Sequence, residues 1–180
     1  MSAEPAYLSP TTSEAIGDAL VAGAVGCALS GLPSTVNALA HGASPLPAVR
    51  AAGTLILAPD ASAGALLVAG AAAHTAISFG WALVFALALP GRHTVPAAAL
   101  AGLAVAGMDL GAIGRRYPCV RALPFRPQVA DHLAFGALVG TVIAGRRSSR
   151  RDRPRSLAAL APLGRVDRRS GGRQSRLRKH

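Results

Sequence analysis

The sequence predicts an all-α fold, a polytopic transmembrane helix bundle of about four spans with a disordered basic C-terminal tail. Three observations carry that expectation. Of 180 residues, 51% are hydrophobic and only 15% are charged, against about 25% charged in a typical soluble domain. The charge is unmixed: residues 146–180 hold 13 basic groups against Asp152 and Asp167, which accounts for the whole net charge of +11, while 1–145 sum to zero. The body that remains is rich in Ala, Gly, Leu and Val, and it contains four stretches near the ~20 apolar residues that cross a bilayer. Such a body lacks the mixed charged surface of a soluble fold. A folded basic nucleic-acid-binding domain is excluded for the same reason, because the positive charge belongs to the tail.

The first span covers about 15–39, with Asp18 near its start and Pro33 inside it. Pro33 is compatible with a kink if neighbouring groups satisfy the carbonyl it frees. Residues 1–14 form an N-terminal tail whose charged side chains are Glu4 and Glu14, so the basic leading region of a secretory signal is missing. Ala38-Leu39-Ala40 has the small-x-small form of a cleavage site, but without that basic region retention of the first helix is expected. The segment 44–50 (SPLPAVR) reads as non-helical because of its prolines. The apolar 51–58 is too short to span and reads as interfacial or re-entrant. Asp60 is a candidate N-cap of the second span.

The second span lies within 62–89, where His74 is the one titratable group. Residues 89–93 (LPGRH) form a turn, and the third span runs over 95–114, interrupted by Asp109. Residues 117–128, with three prolines, cannot be one continuous helix. The fourth span, 129–145, is short and begins with Asp131 and His132. It either crosses the membrane or re-enters. Cys27 in the first span and Cys119 in a connection make a mutual disulfide improbable.

Orientation follows the arginines near the helix ends. Arg146, Arg147, Arg150 and Arg151 begin a cluster that argues for a cytoplasmic C-terminus, and four spans then place the N-terminus there too. Arg115, Arg116, Arg121 and Arg126 in the opposite connection oppose that rule. A fully crossing fourth span with a dominant tail is the preferred resolution. Small residues recur at packing intervals: Gly23, Cys27 and Gly31, then Gly107 with Gly111, and Gly136 with Gly140. They suit a compact bundle or a homo-oligomer. His74 with Phe79-Gly80 and His132 with Phe135-Gly136 form a faint internal echo of unequal spacing.

Polar groups inside spans are costly and face protein or water. In an antiparallel bundle, Asp109, Asp131, His132 and the Ser34–Asn37–His41 end of the first span approach one side of the membrane, with His74 deepest. Both histidines share faces with small residues, so packed positions are expected. Two readings of this layer compete. In one, Asp131 caps the fourth helix, Asp109 pairs with Arg116 or another loop arginine, and the histidines bond locally. In the other, His74, Asp109, Asp131 and His132 form a proton path or metal site, histidine being a common ligand that titrates near neutral pH. No HExxH, CxxC or GxSxG spacing occurs, so the cofactor, if any, stays unknown.

The segment 130–140 (ADHLAFGALVG), with 31–35 (GLPST), resembles helices of small four-helix integral membrane proteins of bacteria, uncharacterised in activity. The resemblance implies four helices and no particular reaction. Eighteen Arg against one Lys agrees with a high-GC bacterial source and a multi-pass bacterial inner-membrane protein. The function expected is a non-enzymatic membrane component, transport-related or an assembly partner. The alternative is a membrane-embedded enzyme acting on a lipid-like substrate at the His/Asp layer. The expected partners are the bilayer and anionic lipid headgroups, met by Arg146, Arg147, Arg150 and Arg151. A nucleic acid is not expected.

Overall fold

A computed structural model describes residues 11–160, and it is helical throughout with no strand among the described residues. Seven α-helices succeed one another: α1 (Thr12–Leu29), α2 (Leu32–Ala40), α3 (Leu46–Gly53), α4 (Ala63–Ala88), α5 (Thr94–Met108), α6 (Pro118–Arg121) and α7 (Phe125–Leu160). A π-helical turn, Asp109–Ile113, and a 3₁₀ turn, Gly114–Arg116, extend α5. Four helices are long and apolar enough to cross a membrane: Thr12–Ala40, Ala63–Ala88, Thr94–Arg116 and Phe125–Asp152. The chain is built as a multi-pass membrane protein.

Local chemistry explains where the helices begin and break. Thr11 caps α1 in a reciprocal box with Glu14, whose backbone N–H donates to Thr11 Oγ1 while its carboxylate accepts from the Thr11 N–H at 2.8 Å. The first span breaks at Ser30-Gly31, and α2 restarts with Pro33 in its first turn, where a missing N–H costs nothing. Ser62, rather than the expected Asp60, caps α4 by accepting from the Ala65 N–H at 3.2 Å. Residues 46–50, expected to be non-helical, form the first turns of α3 because Pro47 also falls at a helix start. The turn at 89–93 is present, and Thr94 Oγ1 donates to the Pro90 carbonyl at 2.8 Å.

The fourth span is longer than the sequence reading. It starts at Phe125, with Pro127 in its first turn, and α7 runs on to Leu160. Residues 146–160 therefore continue a helix where a tail was expected, in keeping with the good helix propensity of Arg, Leu and Ala. The expectation for 161–180 lies outside the described residues. The chain divides into two units, one ending at Arg146, which contains the bundle, and a second beginning at Arg147.

The bundle packs by close approach rather than by bulk. Its core is dominated by Ala15, Ala19, Ala22, Ala82, Ala86 and Ala98, with Phe85, Val105, Phe135, Val139 and Ile143 filling the gaps. Large apolar side chains point outward instead: Val68 is 73% exposed and Leu100 67%. Dry hydrocarbon is the environment that tolerates such a surface. Gly102 and Gly136 let α5 and α7 touch backbone to backbone, since a Cβ at Gly136 would strike the Ala98 carbonyl and one at Gly102 the His132 carbonyl. Gly53 and Gly70 do the same for α3 and α4. Gly23 and Gly26 receive the rings of Phe79 and Phe135. Gly31, Gly107 and Gly111, by contrast, face open space, so the 107/111 pair is not a packing motif within the bundle.

Candidate functional site: a polar cavity at two helix irregularities

All four titratable residues singled out from the sequence line one cavity of about 140 Å³. Its wall combines His74, Ser78 and Trp81 of α4, Asp109 after α5, Gln128, Asp131, His132 and Phe135 of α7, and Ser30-Gly31 at the break in the first span. The polar lining lies toward one end of the bundle. Trp81, Phe135 and Val105 continue it one or two turns deeper, where the lining becomes apolar.

Departures from regular helix supply Asp109 itself and the backbone partners of His74 and Asp131. α1 ends at Leu29, which leaves its last carbonyls without intrahelical partners. His74 Nε2 lies 3.0 Å from one of them, the Cys27 carbonyl. A carbonyl only accepts, so the contact requires a proton on His74 Nε2. The restart of the helix leaves N–H groups of α2 unpaired, and the Ser34 N–H donates to Asp131 Oδ1 at 2.9 Å. Asp131 thus serves the N-terminus of α2, not of α7, whose first residue is six positions earlier. Asp109 opens the π turn. Such turns recur at functional sites because the wider ring redirects side chains.

Asp109 and His132 form the tightest side-chain pair of the layer. His132 Nε2 lies 3.2 Å from Asp109 Oδ2, and Nδ1 lies 2.8 Å from the Gln128 carbonyl. The carbonyl again requires a proton on Nδ1. The contact between Nε2 and Oδ2 therefore needs one further proton, resident either on the ring or on the carboxyl. Without it, a ring lone pair would face a carboxylate oxygen. The expected pairing of Asp109 with Arg116 does not occur. Arg116 lies beyond the π turn, which breaks the α-helical register between the two.

The other expectations divide. His132 bonds within its own helix at one nitrogen, whereas His74 bonds across to α1. His74 is exposed rather than packed among small residues, because its face of α4 borders the cavity. Among the described residues no three His, Cys, Asp or Glu side chains are placed to hold a metal ion. Arg146, expected at lipid headgroups, donates its Nε–H to Asp18 Oδ1 at 2.7 Å, at the opposite end of the bundle, and stays partly exposed. Arg147, Arg150 and Arg151 lie on the continuation of α7, where their spacing of three and four puts them on one face. The sequence reading omitted Trp81, Gln128 and Ser30 from the site. Trp81 was detectable as the residue two turns beyond His74 on the same face.

No family model, curated protein or solved structure matches the chain.

Proposed function

We propose that the protein is a small transport-related membrane bundle, with the cavity as its cargo site and the His132–Asp109 pair as its proton-holding element. One observation carries the reading: a proton-sharing pair borders a cavity built where one span is broken and another widens into a π turn. Broken spans place backbone polar groups at mid-membrane only where they line a cavity or are buried in protein. Intramembrane carboxylates and histidines in such places mark ion or proton routes. The resemblance of 130–140 to bacterial four-helix proteins, together with the arginine bias, supports our assignment of the bundle to a bacterial plasma membrane. Anionic lipid is the partner we assign to Arg150 and Arg151, whereas Arg147 is buried.

The test is a proton-flux assay on the full chain in liposomes under an imposed pH gradient, read with an enclosed pH dye. Asp109→Asn should lower the flux at least about tenfold while the thermal unfolding profile stays within a few degrees of the parent. Unchanged flux combined with a large loss of thermal stability would assign the layer a purely structural role and end the transport reading.

A further inference from the structure

We infer that the cavity binds a small monovalent organic cation, an ammonium of about six heavy atoms. The inference deepens the transport reading by naming the cargo class, and it rests on that reading only for the use to which binding is put. The charge arithmetic comes first. The Asp109–His132 contact holds one proton between a carboxyl and an imidazole, so the pair is neutral in either tautomeric form. Asp131 is left as the remaining carboxylate in the wall, and it accepts from the neutral backbone N–H of Ser34. No lysine or arginine lines the cavity. A carboxylate in a membrane interior needs a counter-charge or a proton; in the wall, His132 is committed to Asp109 and His74 is held to the Cys27 carbonyl, so no permanent cation is placed on Asp131. A cationic ligand supplies that charge.

The other walls select the kind of cation. Trp81 is half-buried and, with Phe135, gives the cavity two aromatic sides. Indole faces attract ammonium groups, most strongly where water is excluded. A bare metal ion would want several oxygen ligands and finds no group of three acidic or histidine side chains among the described residues. An anion would meet Asp131 at the one helix N-terminus that would otherwise attract it. Its volume suits a small ligand: about 140 Å³ is close to the ~150 Å³ cavity that accommodates benzene, a molecule of about six heavy atoms. The hydroxyls of Ser30 and Ser78 offer further acceptors for an N–H or O–H on the ligand.

The protein contains one tryptophan, and that residue lines the cavity, so its fluorescence reports occupancy directly. The full chain in maltoside detergent is titrated with tetramethylammonium chloride, with sodium chloride at equal ionic strength and neutral tert-butanol as comparators. A saturable change is expected with tetramethylammonium alone. Asp131→Asn should weaken binding about tenfold. Because Asp131 also holds Ser34, Trp81→Leu followed by calorimetry is the second variant, with an expected loss of roughly fivefold and partial recovery in Trp81→Phe. Dihexanoyl phosphatidylcholine distinguishes a lipid headgroup from a free cation: tighter binding than tetramethylammonium assigns the ammonium to lipid, and equal or weaker binding assigns it to a free solute. No saturable response, equal response to tert-butanol, or unchanged affinity in both variants would overturn the inference. Binding without flux in the liposome assay would instead end the transport reading and leave the cation site standing.

Discussion

Asp18 has no accessible surface in its position among the alanines of α1, and Arg146 meets it from α7 at 2.7 Å. The two members of this ion pair differ in what they stand to lose. Arg146 keeps 40% of its side chain exposed, so without Asp18 its guanidinium can turn toward water or headgroups. Asp18 cannot follow. Arg146→Met should therefore destabilise the bundle by about 2 kcal/mol, the low side of what breaking a buried pair costs because one partner is partly solvated. Asp18→Asn, which keeps an acceptor and removes the buried charge, should cost about half as much. Thermal unfolding in detergent, read by circular dichroism, gives the order, and an Asp18→Asn variant less stable than Arg146→Met would contradict it. At this scale the sequence marked both residues without joining them. They stand 128 positions apart, and no local pattern links the start of a first helix to the end of a fourth. The cavity residues were more legible, since an ionisable side chain inside an apolar run is conspicuous wherever it falls. Their partners were not, because the break at Gly31 and the π turn at Asp109 decide which backbone groups are left to bond.

The helices meet through particular glycines, and identical substitutions at two of them should act in opposite directions. Gly136 sits where α7 touches the backbone of α5, and a methyl group there would collide with the Ala98 carbonyl. Gly80, mid-way along α4, faces open space. Gly136→Ala should destabilise by about 1–3 kcal/mol through overpacking, whereas Gly80→Ala should stabilise by about 0.5–1 kcal/mol through helix propensity. Because α5 and α7 carry Asp109 and His132, Gly136→Ala should also disturb the cavity and weaken the Trp81 response to ammonium. Thermal unfolding of the two variants side by side provides the measurement, and a shared sign would refute the assignment of the α5–α7 contact. Sequence spacing proposed both glycine pairs, at 107/111 and 136/140. Only the placement of neighbouring helices distinguishes a stripe that is covered from one that faces outward.

Across the whole molecule, the two polar clusters lie at opposite ends of the same bundle. Asp18 near the start of the first span meets Arg146 near the end of the fourth, while the end of the first span meets Asp131 near the start of the fourth. A re-entrant fourth segment would return to its own side and could not make both contacts. A fully crossing α7 fits both contacts, and an even number of crossings would put the start of the first span and the end of the fourth on one side. The positive-inside tendency of the arginines beginning at Arg146 predicts a cytoplasmic location for that side. Reporter fusions after Ser2 and after Gly145 should both report cytoplasm, and fusions after Ser44 and near Leu123 should report the exterior. A cytoplasmic signal near Leu123 would contradict the crossing.

The sequence by itself determined the solvent. An almost uncharged body with four apolar runs has no soluble fold available, and the length of each run sets the number of spans through the thickness of the hydrocarbon. It also determined that the titratable residues gather on one side, because antiparallel connections bring the end of one span beside the start of the next. Tertiary structure decided everything that depends on a partner. It gave Asp109 to His132 instead of to Arg116, Asp131 to the α2 N-terminus instead of to its own helix, and Arg146 a partner in Asp18. The physical reason is the same in each case. A polar group in a low-dielectric interior bonds to whichever unsatisfied group packing brings within reach. In this bundle those groups are created by helix irregularities and by glycine contacts between helices distant in sequence.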